Sequence, residues 1–151
     1  MESNSLIEAM EGYFQAGTVL DLDRLDATYA PDFINIRTDK IGQTVSITKE
    51  QFMLTFRRLK DGGGSTLGTT EDVQYVATTV YDDHGSVVLR RVKEGKPALY
   101  NFVWRMADGL PTTIIREFSV EEDLSALIGM IRGSAAGGQQ GVEIKSAHSG
   151  A

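Results

Sequence analysis

Ala98-Leu99-Tyr100-Asn101-Phe102-Val103-Trp104-Arg105-Met106, returning as Thr112-Thr113-Ile114-Ile115-Arg116-Glu117-Phe118, is the stretch on which the fold turns. In the first run Tyr100, Phe102, Trp104 and Met106 alternate with Leu99, Asn101, Val103 and Arg105. Successive side chains leave a pleated strand on opposite sides, so this period of two predicts a strand with two unlike faces. Asp108-Gly109 between the runs predicts a tight hairpin, because both residue types tolerate positive φ. Three aromatics and a thioether on one face predict the wall of a core or of a pocket.

The pattern continues upstream. Val73 to Tyr81, a turn at Asp82-Asp83-His84-Gly85, and Ser86 to Lys93 read as two more strands of an antiparallel meander. His84 beside two aspartates does not predict a metal site, since three neighbours in a tight turn cannot converge on one ion. Before the meander lie three helical segments. Leu6, Ile7, Met10, Tyr13 and Phe14 recur at helical spacing, with Gly17 as the expected stop. Asp21 or Asp23 caps a second helix carrying Leu22, Leu25 and Tyr29 and ended by Pro31. Phe33 to Arg37 and Thr44 to Ile47 read as strands about a turn at Thr38-Asp39-Lys40. Thr48 and Gln51 form a capping box for a third helix with Phe52, Phe56 and Leu59 inside. Asp61-Gly62-Gly63-Gly64-Ser65 follows a helix rather than a strand, so it reads as a connector and not as a phosphate loop.

Ser119-Val120-Glu121-Glu122 reads as a further capping box, opening a helix with Leu124, Leu127, Ile128 and Ile131 on its apolar face. Residues 1–132 are expected to form one domain. Residues 133–151, rich in Gly, Ala and Gln, are expected to be a disordered tail.

Composition excludes several function classes. The chain has 151 residues, 41% hydrophobic and 24% charged, enough for one domain with its own core. It has no cysteine, which removes disulfides, thiol catalysis and cysteine metal sites. A net charge of -6 argues against a nucleic-acid partner, which needs a basic face. No apolar run is long enough to span a membrane, and Met1-Glu2-Ser3-Asn4 lacks a basic start, so a cytoplasmic setting is expected. No metal and no cofactor is expected.

Three helices, the third between strands, and then a meander predict an α+β fold with helices on one face of a curved antiparallel sheet. The order resembles the nuclear transport factor two-like superfamily, which includes ketosteroid isomerases, SnoaL-like polyketide cyclases, scytalone dehydratase and lumazine-binding-like proteins. The resemblance rests on Tyr13-Phe14, Asp21-Leu22-Asp23, Tyr29-Ala30-Pro31-Asp32-Phe33 and Trp104-Arg105-Met106-Ala107-Asp108-Gly109. It implies a cone-shaped curved antiparallel sheet (an α+β barrel) with the three helices of the N-terminal half packed into its concave face, one deep cavity and, frequently, a homodimer through the outer sheet face. Ketosteroid isomerases use a helix-one tyrosine, a protonated acid and a carboxylate base. Tyr13 matches the tyrosine, but the base position falls on Arg37 and the second donor on Phe102, neither of which can serve. Histidine chemistry of the scytalone dehydratase kind has only His84 and His148 to draw on.

Counting the pleat outward from Tyr100, Phe102 and Trp104 places Val87, Leu89 and Arg91 inside, with Ile114, Arg116 and Phe118 from the final strand. Tyr13, Phe33, Arg37, Phe56, Arg91, Tyr100, Phe102, Trp104, Arg116 and Phe118 are therefore the candidate ligand-binding residues, with Tyr13 and Arg37 as the catalytic candidates if the protein is an enzyme. The expected ligand is small, apolar or aromatic, with an anionic or carbonyl oxygen. Val88, Leu99, Val103 and Ile115 on the other face are the expected dimer surface. Three readings stay open: a binding domain without catalysis, a cyclase, isomerase or dehydratase acting on a polycyclic or aromatic substrate, and a structural dimerisation module.

Overall fold

The computed structural model describes residues 2–62, 72–93, 95–133 and 141–145. The opening stretch forms β5 (Lys96–Ala107) and β6 (Leu110–Glu121), joined by Asp108 and Gly109 at φ of 53° and 77°. Both central residues have positive φ, the conformation that lets a two-residue turn match the twist of its strands. Upstream stand β3 (Gln74–Tyr81) and β4 (His84–Lys93). Before them come α1 (Glu2–Val19), α2 (Leu22–Thr28), β1 (Tyr29–Asp39), β2 (Thr44–Thr48) and α3 (Lys49–Asp61). After β6 the described chain adds α4 (Ser125–Gly133) and β7 (Val142–Lys145).

The seven strands form one curved, unclosed sheet in the order β3-β4-β5-β6-β1-β2-β7. Every neighbouring pair is antiparallel except β1 and β6, which run parallel. The expected antiparallel sheet thus has one parallel seam. It arises because the chain leaves β2, travels through α3 and the β3–β5 meander, and brings β6 back beside β1. The helices α1 and α3 lie across the concave face, α1 against β3, β4 and β6, and α3 against β1 and β2. Leu6, Met10, Phe52, Met53 and Phe56 enter the same core as Val45, Val87, Leu89, Phe102 and Trp104. This is the α+β fold that the element order predicted, shaped as the cone that the resemblance implied.

Several boundaries differ from expectation, each for a local reason. α1 runs through Gly17 and stops at Leu20, which takes φ of 54° while Asp21 N donates to Ala16 O at 2.9 Å. A glycine permits a stop; here the capping bond fixes it three residues later. Asp21 caps α2 through Arg24 N, but Tyr29 belongs to β1, with extended backbone. The turn after β1 starts at Lys40, one residue beyond the expected centre at Asp39.

The Ser119–Glu122 box does not cap a helix. Ser119 is a strand residue paired with both β5 and β1, Glu121 is paired with β1, and α4 starts at Ser125. A sheet flanked on both sides satisfies the whole backbone, so pairing wins over a local cap. The expected disordered tail also holds structure: α4 reaches Gly133, and β7 pairs antiparallel with β2 from Thr44↔Lys145 to Ile47↔Val142. Val142 and Ile144 supply the apolar contact for that strand. Residues 63–71, with most of the glycine-rich connector, and residues 134–140 and 146–151 lie outside the described residues.

Candidate functional site

The concave face has two halves. On the β4–β5 side Val87 stands opposite Phe102 and Leu89 opposite Tyr100, all buried. Rings of several elements close over them. Tyr13 packs on Phe102 at 5.7 Å between ring centroids, Phe14 on Phe102 at 6.1 Å, and Tyr100 stacks on Phe102 at 6.1 Å. Around α3, Phe33, Phe52, Phe56 and Tyr29 pack ring on ring, Tyr29 and Phe33 at 4.3 Å. Trp104 is buried and its Nε1 donates to Met10 Sδ at 3.3 Å. Phe33, Phe56, Phe102 and Trp104 are thus all residues of the core.

The parallel seam of β1 and β6 is different. Asn35 stands beside Glu117, Arg37 beside Ser119 and Asp39 beside Glu121. These polar residues share the inward face, since Glu117 also stands opposite Phe102, and Ser119 opposite Tyr100. Asn35 is 0% exposed and Glu117 5%. Burying an amide and a carboxylate in an aromatic core carries a cost of several kcal/mol unless partners are found. Arg37 Nε donates to Asn35 Oδ1 at 3.0 Å and lies 3.9 Å from Glu121 Oε2, which accepts from Ser119 Oγ at 2.9 Å. Asn35 Nδ2 is buried with no hydrogen-bond partner among the described residues.

Two tyrosines face this cluster. The hydroxyls of Tyr13 and Tyr29 bond to each other at 2.5 Å. Burial, and then the Glu117 carboxylate for Tyr13, push that phenol far above its ordinary range. Burial raises Tyr29 as well, reinforced by its neighbour Tyr13 and by Glu117. Tyr100 is pushed up to about 12 by burial and by Glu121. All three phenols therefore keep their protons at neutral pH and act as donors. A pair of hydroxyls uses one proton on the other, which leaves one proton to offer elsewhere. Arg91 lies over the rings of Phe14 and Tyr100, its guanidinium carbon 5.1 and 5.2 Å from their centroids. Cationic, anionic and neutral donor groups are all present within one low-dielectric interior.

Of the sequence candidates, Tyr13, Phe33, Arg37, Phe56, Arg91, Tyr100, Phe102 and Trp104 gather on this face. Arg116 and Phe118 do not. Register shifts between Val103↔Arg116 and Trp104↔Ile114, so Ile115 is an extra residue in β6. A bulge of one residue reverses the pleat beyond it. Arg116 therefore stands on the outer face and donates to Asp32 O at 2.7 Å, and Phe118 is 40% exposed. The same bulge buries Ile115, which the dimer surface was expected to present. The residues missed are Glu117, Ser119, Glu121, Asn35 and Tyr29. Consecutive Ile114-Ile115 already breaks the period of two, and that break is the available signal for Glu117. Asn35 shares its parity with Phe33 and Arg37 and was legible.

An open groove of ≈ 370 Å³ lies between α1 and β3, lined by Glu11, Phe14, Gln15, Thr18, Asp72, Val73 and Tyr75. Its Phe14 also packs on Tyr13 and Phe102. Among the described residues no group of His, Cys, Asp and Glu could hold a metal ion, and no helix is long and apolar enough to cross a membrane.

No family profile matches this sequence, and no curated protein does. Solved structures match by shape. A nuclear transport factor two-like protein of unknown function from Silicibacter pomeroyi aligns with a TM-score of 0.59 at 12% identity, over 77% of this chain and 92% of its own. Another of unknown function from Shewanella baltica gives 0.53 at 8% identity, over 77% and 90%. A de novo designed protein of the same fold gives 0.52 at 12% identity, over 89% and 98%. The chain has the nuclear transport factor two-like fold. Likeness at this identity extends to the fold alone, because one such scaffold hosts many unrelated sites.

Proposed function

We propose that this chain, built on the nuclear transport factor two-like cone, is a small-molecule-binding domain for a planar, apolar ligand with one oxygen-bearing head. The observation that carries the reading is Asn35 Nδ2, a fully buried donor without a partner among the described residues, in the middle of the Tyr13–Tyr29, Glu117 and Arg37 cluster. Leaving such a group unsatisfied costs about 1–3 kcal/mol, which a ligand oxygen would recover. The aromatic walls suit a flat body. Arg37 and Arg91 are matched by Glu117 and Glu121 on the same face, so a ketone or phenol head fits better than a carboxylate. That narrows the anionic or carbonyl oxygen expected from sequence to the neutral kind.

The test is a thermal-shift and titration screen of flat ketones, phenols and their carboxylate analogues on wild type, Asn35→Leu and Tyr13→Phe. Neutral heads should stabilise wild type and lose about ten- to a hundredfold in affinity in either variant. Equal binding to all three proteins, or a uniform preference for carboxylates, overturns the reading.

A second reading is favoured by one further feature, the burial of Glu117 beside two protonated phenols. A carboxylate and hydroxyl donors in a dry site are the parts of general acid–base catalysis, so a cyclase, isomerase or dehydratase of the SnoaL-like kind is the alternative. Deuterium incorporation into a bound ketone, lost in Glu117→Gln while binding persists, would favour it. We also propose a homodimer through the outer sheet face, where Val88, Leu99, Val103, Phe118 and Val120 form an apolar surface. Val103→Glu should then give a monomer in light scattering.

A further inference from the structure

The polar seam has two less buried members, Arg37 and Glu121. Asn35 and Glu117 are 0% and 5% exposed, whereas the side chains of Arg37 and Glu121, two and four residues further along, are 19% and 11% exposed. Because β1 and β6 are parallel, both finish at this same end, where the Arg37 and Glu121 side chains reach solvent while Ser119, beside Arg37, stays buried. The next inward residue, Asp39, is buried again. What covers it is the start of α4.

Asp39 comes from the far side of the chain to hold that start. Its Oδ2 accepts from Leu124 N at 2.7 Å, across 85 residues of sequence, and from Gln43 Nε2 at 2.9 Å. Its Oδ1 accepts from Gln43 N at 2.8 Å and Ile41 N at 3.2 Å. Two further links tie the same turn to the same segment. Gln43 Nε2 donates to Ser125 Oγ at 3.1 Å, and Lys40 Nζ pairs with Glu122 at 2.9 Å. From this anchor Leu124 and Ile128 enter the core, with Leu127 and Ile131 packed against it. A helix of nine residues has too little intrinsic stability to stay formed alone, so its seat depends on these contacts.

We propose that α4 is a cover over the open end of the polar seam and that Asp39 is its catch, so that opening at Leu124 admits the ligand to Arg37, Asn35 and the tyrosine pair. The cover rests on the reading of an interior site; the catch does not. Loss of one carboxylate that orders four donors should free α4 without dissolving the sheet, because local openings follow the least-supported segment.

The experiment uses the full chain as wild type, Asp39→Asn and Ile128→Ala, the last loosening α4 by its apolar contact alone. Hydrogen exchange is followed by mass spectrometry in peptides of α4 and, as the internal reference, of β5 and β6. The flat, neutral fluorescent ketone 6-propionyl-2-(dimethylamino)naphthalene reports access to the interior. The expected result is exchange about tenfold faster in α4 alone, and probe uptake faster by a similar factor, in both variants. Exchange that is unchanged, or that rises equally in β5 and β6, overturns the catch. Selective exchange with probe bound at the wild-type rate overturns the cover. Failure of every form to take up probe counts against the interior site itself and against a cover for it, and is distinguishable from the other two outcomes.

Discussion

The β4–β5 half of the concave face and the β1–β6 seam are parts of one sheet, under the same helices, yet they are built on opposite terms. Val87, Leu89, Tyr100, Phe102 and Trp104 are apolar or aromatic, paired without interruption, and closed by rings from α1. Asn35, Glu117 and Ser119 put amide, carboxylate and hydroxyl at the same depth, with Arg37 and Glu121 beside them nearer solvent. The first half is stabilised by area removed from water. The second costs stability and is held in place by the first. A sheet that needed only a core would have continued the apolar alternation across the seam, which is why the seam is the candidate site.

The largest effect should come from breaking the apolar half. Phe102→Ala removes a fully buried ring in contact with Tyr13, Phe14 and Tyr100, and should cost about 3–5 kcal/mol in denaturant unfolding. A cost under 1 kcal/mol would mean that the rings are not the support of the seam.

Next in size is Asp39, where the seam meets α4. Its burial alone would raise the carboxyl, but hydrogen bonds from Leu124, Gln43 and Ile41 outweigh that and hold it below its ordinary 3.8. A depressed folded value means that the stabilisation is present above the unfolded value and is lost as pH falls through the folded one. Asp39→Ala should therefore destabilise by about 1.5–3 kcal/mol at neutral pH, and the gap to wild type should close as pH drops below about 4. A gap that does not change with pH would remove the carboxylate from the account.

Asn35→Leu should be much milder in the ligand-free protein, within about 1 kcal/mol, because an apolar residue of similar size removes an unsatisfied donor along with a bond to Arg37. Equilibrium unfolding of the two proteins side by side measures it, and a loss comparable to Phe102→Ala would show that Asn35 is structural. Smallest of all is Phe118→Ser, outside the bulge, expected within about 0.5 kcal/mol in a monomer. A core-sized loss there would return Phe118 to the interior and undo the register on which the seam rests.

That register separates what the sequence could tell from what it could not. The Tyr100–Met106 alternation, Asp108-Gly109, Asp21 and the Thr48 cap each express a local preference that the fold keeps, so helices on one face of a curved sheet were legible from them, and the cone from the resemblance. Glu117 was not, because the side a strand residue faces depends on every residue between it and the reference. Ile115 is inserted between them. The parallel pairing of β1 with β6 was equally hidden, since those strands are far apart in the chain and no local pattern names the partner. The 119–122 box misled for the converse reason, a sound local signal overruled by a strand paired on both sides.

The most direct measurement is a high-resolution crystal structure grown with the flat ketone or phenol that most stabilises the wild-type protein. The account predicts the ligand oxygen within about 2.7–3.2 Å of Asn35 Nδ2 and of a Tyr13 or Tyr29 hydroxyl, with its flat body against Tyr100 and Phe102. A map showing only an ordered water bridging Asn35 to Glu117, with the compound bound elsewhere, would contradict it.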